Sequence, residues 1–326
     1  MSEAPVLAAE GLHVWFALEG GGELHAVQDV SFELGAGERF GLVGESGCGK
    51  TTAILTLMGL LPPNASVAGR VLLDGENVLA RGERSIAPHR WKEVAMVFQG
   101  AMNAFNPVKR IGEQIAEPME LHGMAEGAAA RRRVGELLEL VGIPADRASR
   151  FPHEFSGGMR QRAAIAMALA CKPKVLLADE PTTALDVMVQ AQILELLVAL
   201  ANDFGLALVL VTHDLPLVAQ VCERAAVMYA GEIVESGPTD ALFHAPRHPY
   251  TRLLFAATPD LYGEEEVVSI PGAPPRLDRP IAGCPFRLRC DRAFAPCGDV
   301  RPALKPVGDH REAACHLNDV VQEVPA

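Results

Sequence analysis

Apolar residues alternate with polar ones at Val30, Phe32 and Leu34, and an unbroken apolar run, Phe40-Gly41-Leu42-Val43, follows soon after. A period of two marks a half-buried strand and a continuous run a fully buried one, so strands are predicted leading into a glycine-rich loop. A helical pattern then runs from Lys50 to about Leu61 and ends at Pro62-Pro63, residues that lack the N–H a helix interior needs. Val94–Phe98 reads as another buried strand. From Ile111 to Ala170 the apolar spacing is helical with no convincing strand, and the stretch of about 110–172 is assigned to a helical subdomain inserted in the core. Apolar strands return at Val175–Ala178 and Ala207–Val211, with a helix at about Val187–Asn202 between them, and a further helix and strand lead to Tyr229. Strands alternating with helices imply an α/β fold whose largely parallel sheet is covered on both faces.

Beyond Thr258 the pattern becomes Pro-rich and irregular, with Pro271-Gly272-Ala273-Pro274-Pro275 as a spacer. This predicts a principal domain over 1–258 and a small extension over 259–326, and with no internal repeat the chain holds one such domain. Its 326 residues, 49% of them hydrophobic, can bury a full α/β core and still form an appendage. The net charge of −12 argues against a nucleic-acid partner, since phosphate recognition shows as a basic excess. No uninterrupted apolar run approaches the ~18 residues of a membrane span. Met1-Ser2-Glu3-Ala4-Pro5 lacks the features of a signal peptide, so the chain is expected in the cytoplasm, reaching a membrane only through a partner.

Four of the cysteines change the picture of the extension. Cys284, Cys290, Cys297 and Cys315 follow one another with spacing Cys-x5-Cys-x6-Cys-x17-Cys. In a reducing compartment such a cluster points to metal before disulfide, and four thiolates suit either tetrahedral zinc or an iron–sulfur cluster. Reduced, unliganded cysteines are the alternative. A Pro-rich appendage with few large apolar residues gains most from a metal staple.

The candidate chemistry lies in the core. Gly44-Glu45-Ser46-Gly47-Cys48-Gly49-Lys50-Thr51, followed by Thr52, is a glycine loop between strand and helix. Its backbone N–H groups and the helix N-terminus can hold phosphates, with Lys50 on the β- and γ-phosphates and the Thr51 hydroxyl on Mg²⁺. Asp179 ends an apolar strand, where a Mg²⁺-linked acid belongs, and Glu180 beside it can polarise an attacking water. Gln99 and His213 also sit at strand ends.

Between the glycine loop and the acidic strand lies Phe155-Ser156-Gly157-Gly158-Met159. In that order the three elements resemble ABC ATPases. The resemblance implies a P-loop NTPase core, mostly parallel with an antiparallel N-terminal β-subdomain, an inserted helical subdomain and a small irregular Cys-rich extension. It makes Glu180 the catalytic base, His213 the switch residue that contacts the γ-phosphate, and Gln99 a ligand of Mg²⁺ and water that responds to the membrane partner, beside Thr51 and Asp179 on the ion. Two subunits would stack head to tail, with Ser156, Gly157 and Gly158 completing the partner's ATP site. Pro181-Thr182-Thr183-Ala184-Leu185-Asp186 resembles the loop where the two subunits meet, which places Asp186 at the dimer interface. The family usually has Leu at the position of Phe155. Trp15 and Phe16 are the candidates for stacking on adenine. Phe16 is counted with the ATP-binding residues, although alternation does not choose between the two.

Further matches resemble one branch, the ATP-binding subunits of bacterial oligopeptide, dipeptide and nickel importers. They are Phe98-Gln99 with Asn103-Ala104-Phe105-Asn106-Pro107, then His248-Pro249-Tyr250-Thr251-Arg252-Leu253-Leu254, then Ile270-Pro271-Gly272-Ala273-Pro274-Pro275 with the four tail cysteines. The branch implies ATP and Mg²⁺ and a [4Fe-4S] cluster on Cys284, Cys290, Cys297 and Cys315. It also implies two integral membrane permease subunits, an extracytoplasmic substrate-binding protein, and a second, paralogous ATPase or a second copy of this chain. The tail resembles the first of the paired ATPases. Di- or oligopeptide is the expected cargo, with nickel or oligosaccharide as alternatives on the same motor. A soluble ABC protein of DNA repair or translation would show two ATPase units, basic insertions or coiled coil, and an exporter would lack this tail.

Overall fold

The computed structural model describes residues 4–100, 104–257 and 269–320. Asn103 and the expected boundary at 258/259 lie outside them. In chain order the strands are β1 (Leu7–Ala17), β2 (Glu23–Leu34), β3 (Arg39–Val43), β4 (Ala65–Leu73), β5 (Glu76–Asn77), β6 (Val94–Val97), β7 (Val175–Asp179), β8 (Ala207–Thr212), β9 (Arg224–Tyr229), β10 (Glu232–Pro238), β11 (Lys305–Gly308) and β12 (Arg311–Ala313). The described residues fall into two compact units. The first takes those of Met1–Leu7, Glu33–Glu38 and Leu72–Leu210, the second those of Ala8–Phe32, Arg39–Val71 and Val211–Ala326.

In the first unit the strand order is β8-β7-β6, with β6 parallel to β7 in the register Val94↔Val175 to Val97↔Ala178. Every residue of β7 is buried, as a parallel strand covered on both faces requires. Between β6 and β7 lie helices Ile111–Leu121, Gly127–Leu140 and Gly157–Ala168 with short 3₁₀ turns, and no strand. Helix Val187–Phe204 has the length and hydropathy of a membrane span, the one such helix among the described residues. Ile193, Leu194, Leu197, Leu200 and Ala201 form its buried stripe, the pattern of a core-facing helix.

In the second unit the order is β11-β12-β10-β9-β3, with β3 parallel to β9 and the outer strands antiparallel. The described tail is irregular over 269–304 apart from the short helix Pro296–Asp299, and its β11–β12 hairpin adds to β10 through Glu235↔Ala313 and Ser236↔Glu312. Asp309 and His310 both adopt left-handed backbone, at φ 51° and 56°, making the tight turn whose twist matches paired strands. Arg311 locks the hairpin down. Its Nη2 donates at 2.9 Å to Glu235, which is fully buried and also accepts the Arg247 and His248 N–H groups at 2.7 and 2.9 Å.

The helix after the glycine loop spans Lys50–Leu57 and stops before Pro62-Pro63. Gly59, at φ 60°, turns the chain, and Leu60 N–H closes back on Leu55 O at 2.9 Å, so a left-handed glycine ends the helix rather than proline.

Candidate functional site

Strand β3 delivers the glycine loop in the second unit. Gly44 has φ 153°, and a β-carbon there would lie 2.3 Å from Met228 O. Gly49, at φ 108°, caps the following helix, and a β-carbon on it would lie 2.6 Å from Ala26 O. Both positions therefore exclude any other residue. Lys50 is 5% exposed, and its ammonium donates to Gly44 O at 2.7 Å and Glu45 O at 3.0 Å. The Cys48 thiol is buried, which raises its pKa, partly offset by the Lys50 charge.

Glu45 is tied down at each polar group. Its N–H donates to Tyr250 Oη at 2.9 Å, its carbonyl accepts Lys50, and its carboxylate accepts Arg289 Nη1 and Nη2 at 2.6 and 2.8 Å. Arg289 stands in the sequence as the neighbour of Cys290 in the tail motif, and nothing in the pattern marked its pairing with Glu45, from which it is separated by most of the chain.

The acidic strand end belongs to the first unit. Asp179 closes β7 at 2% exposure. Glu180 turns out of the strand at φ 43°, left-handed backbone that a residue with a side chain adopts at a cost. Its Oε2 accepts Gln99 Nε2 at 2.8 Å and Thr183 Oγ1 at 2.9 Å. Two expected catalytic residues, Gln99 and Glu180, are thus brought together, and Thr183 joins them without having been singled out. The loop from Pro181 is held by Gln190, whose amide donates to Thr182 O and Leu185 O at 3.3 and 3.1 Å. Asp186 then caps the next helix by accepting Val189 N–H at 3.0 Å, and beside it Val187 and Met188 are 75% and 73% exposed.

Ser156 Oγ caps helix Gly157–Ala168 by accepting Met159 N–H at 3.2 Å. Gly158 has a second reason to be glycine, because a β-carbon there would come within 2.8 Å of Val189 Cγ1. His213, in the second unit, is exposed just before helix Leu215–Val221, which Asp214 caps. Trp15 packs with His13 and His25 in a three-ring cluster, with ring centroids 5.4 and 4.7 Å from Trp15 and 5.3 Å between the two histidines. Phe16 is half-buried beside it.

The four tail cysteines line one small cavity together with Phe286, Phe294 and His316. Gly283, at φ 63°, lets the chain pass where a β-carbon would meet Cys297 O and Gly298 O, both at 2.4 Å, and Cys284 N–H bonds Cys297 O at 2.9 Å. Burial raises the thiol pKa of Cys284 and Cys290 and pushes that of Cys315 up to about 11. Among the described residues no three His, Cys, Asp or Glu side chains close into a metal-holding group. The four thiols thus converge on one cavity without forming a ligand set.

Residues 27–183 match the family model described as ABC transporter, and residues 234–297 match that described as oligopeptide/dipeptide transporter, C-terminal region. The fold is that of a dimeric ATP-binding cassette in a post-hydrolysis state bound to ADP and Pi, 28% identical over 72% of this chain and 98% of that one with a TM-score of 0.64. It is also that of cbiO1 from Clostridium perfringens, part of the cbiONQ transporter complex, 27% identical over 74% of this chain and 92% of that one with a TM-score of 0.62. Fold and loop chemistry together define an ABC-type ATPase. The chain is 45% identical to the dipeptide transport ATP-binding protein DppD of Bacillus subtilis, over 96% of its own length and 95% of that protein. It is 47% identical to the oligopeptide transport ATP-binding protein OppD of the same organism, over 89% and 82%. It belongs to the ABC transporter ATP-binding subunits of the oligopeptide/dipeptide family.

Proposed function

We propose that this chain hydrolyses ATP to drive peptide uptake through two membrane permease subunits, working from the cytoplasmic face with an extracytoplasmic binding protein. The observation that carries the peptide reading is the match of residues 234–297 to the oligopeptide/dipeptide C-terminal region, in a chain alignable with dipeptide and oligopeptide transport proteins over nearly its full length. The roles follow the residues' chemistry. Lys50 neutralises the β- and γ-phosphates. The oxygen donors of Thr51, Asp179 and Gln99 suit Mg²⁺, which when bound shields the phosphate charge. Glu180 takes a proton from the attacking water, and Gln99 and Thr183 hold its carboxylate. His213 reads the γ-phosphate. Ser156, Gly157 and Gly158 serve the ATP of a second subunit, either a paralogue or another copy, with Asp186, Val187 and Met188 at the contact. Phe16 stacks on adenine, because Trp15 is engaged by His13 and His25.

Affinity capture of the tagged chain from gently solubilised native membranes tests this reading. Two permeases and a binding protein loaded with peptide are the expected yield. A binding protein carrying nickel or oligosaccharide would replace the cargo, and ribosomal or repair proteins without a permease would remove the transport reading.

In the extension, Cys284, Cys290, Cys297 and Cys315 would hold a [4Fe-4S] cluster as a structural staple. Four thiols facing one cavity are a suitable donor set, and the raised thiol pKa values of Cys284, Cys290 and Cys315 mean that loading releases protons, so it should weaken with acid. Cys290→Ser is expected to strip iron from the purified protein and expose the extension to protease. Unchanged protease resistance and stability would end the staple role, and zinc in place of iron would change the metal.

A further inference from the structure

We propose that Arg289 of the C-terminal extension is a positioning residue of the ATP site. By neutralising and orienting Glu45 it makes ATP affinity depend on the extension. The inference rests on the reading that the Gly44–Thr51 loop binds the phosphates.

A phosphate-binding loop works by gathering N–H groups and positive charge around a polyanion. Glu45 places a carboxylate within that loop, where an unpaired charge would repel the ligand. Arg289 cancels it with a two-pronged contact at 2.6 and 2.8 Å, its side chain 4% exposed against 25% for Glu45. Guanidinium suits this task, since it matches a carboxylate with two parallel donors and does not lose its proton in proteins.

The arginine is itself fixed. Its Nε donates to Pro271 O at 2.8 Å, and its guanidinium lies 5.8 and 5.9 Å from the ring centroids of Tyr229 and Phe286. Tyr229, Tyr250 and Phe286 pack on one another with centroids 4.6 to 5.3 Å apart, and Tyr250 also accepts the Glu45 N–H. Phe286 and Arg289 both lie in the short loop between Cys284 and Cys290: Phe286 lines the thiol cavity, and Arg289 reaches the phosphate loop. Whatever holds that cysteine loop in shape therefore also holds Glu45.

ATP binding by the purified full-length chain is measured by calorimetry for the wild type, Arg289→Met, Arg289→Gln, Glu45→Gln and the two double variants. Repulsion between unit charges about 10 Å apart at an effective dielectric of about 20 corresponds to a roughly tenfold loss of affinity. That loss is expected for Arg289→Met and Arg289→Gln, diminishing at high salt, and Glu45→Gln should restore most of it in either double variant. Arg289→Gln keeps a hydrogen-bond donor at this position and carries the same criteria if Arg289→Met does not fold. Unchanged affinity in the single variants overturns the inference, and so does a loss that Glu45→Gln fails to relieve, which would make Arg289 a tether of the tail alone. A wild-type chain that does not bind ATP would remove the ATP-site reading itself and this inference with it.

Discussion

Glu180→Gln is expected to bind ATP with near-wild-type affinity while its turnover falls by roughly 10²- to 10⁴-fold, the range set by loss of a positioned general base. The substitution is nearly isosteric. A glutamine carbonyl can still accept from Gln99 and Thr183, which contact Glu180 Oε2 at 2.8 and 2.9 Å, so the strand end should keep its shape. What disappears is the ability to take a proton, and with it the negative charge of that side chain. Because the Gly44–Thr51 loop is untouched, binding and hydrolysis should separate, and the ATP-loaded dimer should accumulate. Phosphate release measured beside equilibrium ATP binding on the same preparation checks this. Turnover equal to wild type would take Glu180 out of the catalytic role, whereas parallel loss of binding would show that its left-handed backbone, at φ 43°, matters more than its carboxylate.

The parts of this architecture that were legible in the sequence are those fixed by local chemistry. Fully buried strands read as apolar runs, so Val175–Asp179 and Ala207–Thr212 were placed to within a residue. The glycine loop was legible because Gly44 and Gly49 hold backbone angles open to few other residues. What escaped depends on partners distant in sequence or on turns without a signature. The β11–β12 hairpin is built from strands of four and three residues joined by Asp309-His310, and no alternation can show in so short a span. Gly59 stopped a helix that the later prolines had been expected to stop, because either signal is sufficient and the earlier one acts first. Thr183 was visible only as part of a loop motif, yet its hydroxyl orients the Glu180 carboxylate. Arg289 was invisible as a partner of Glu45 since nothing local to either residue encodes the pairing. As the residue before Cys290 it reads as part of the cysteine motif.

Lys50→Ala should fail one step earlier than Glu180→Gln, at nucleotide binding. A hydrogen bond from an ionised donor to a charged acceptor is worth about 1.5–3 kcal/mol, roughly 10- to 150-fold in Kd. The upper part of that range is expected here because the lysine does two things. In the proposed role its ammonium, on a side chain only 5% exposed, supplies the positive charge for the phosphates, and it bridges Gly44 O and Glu45 O at 2.7 and 3.0 Å. Deleting it leaves those two carbonyls without that donor, so the loop that should present N–H groups to the phosphates loses part of its pre-set shape. The fold itself should survive, since alanine is the best helix former at the start of helix Lys50–Leu57. ATP titration beside a thermal melt separates the two effects. A melt close to wild type with binding reduced about a hundredfold fits the assignment, whereas retained affinity with lost turnover would move Lys50 from holding the ground-state phosphates to stabilising the transition state alone.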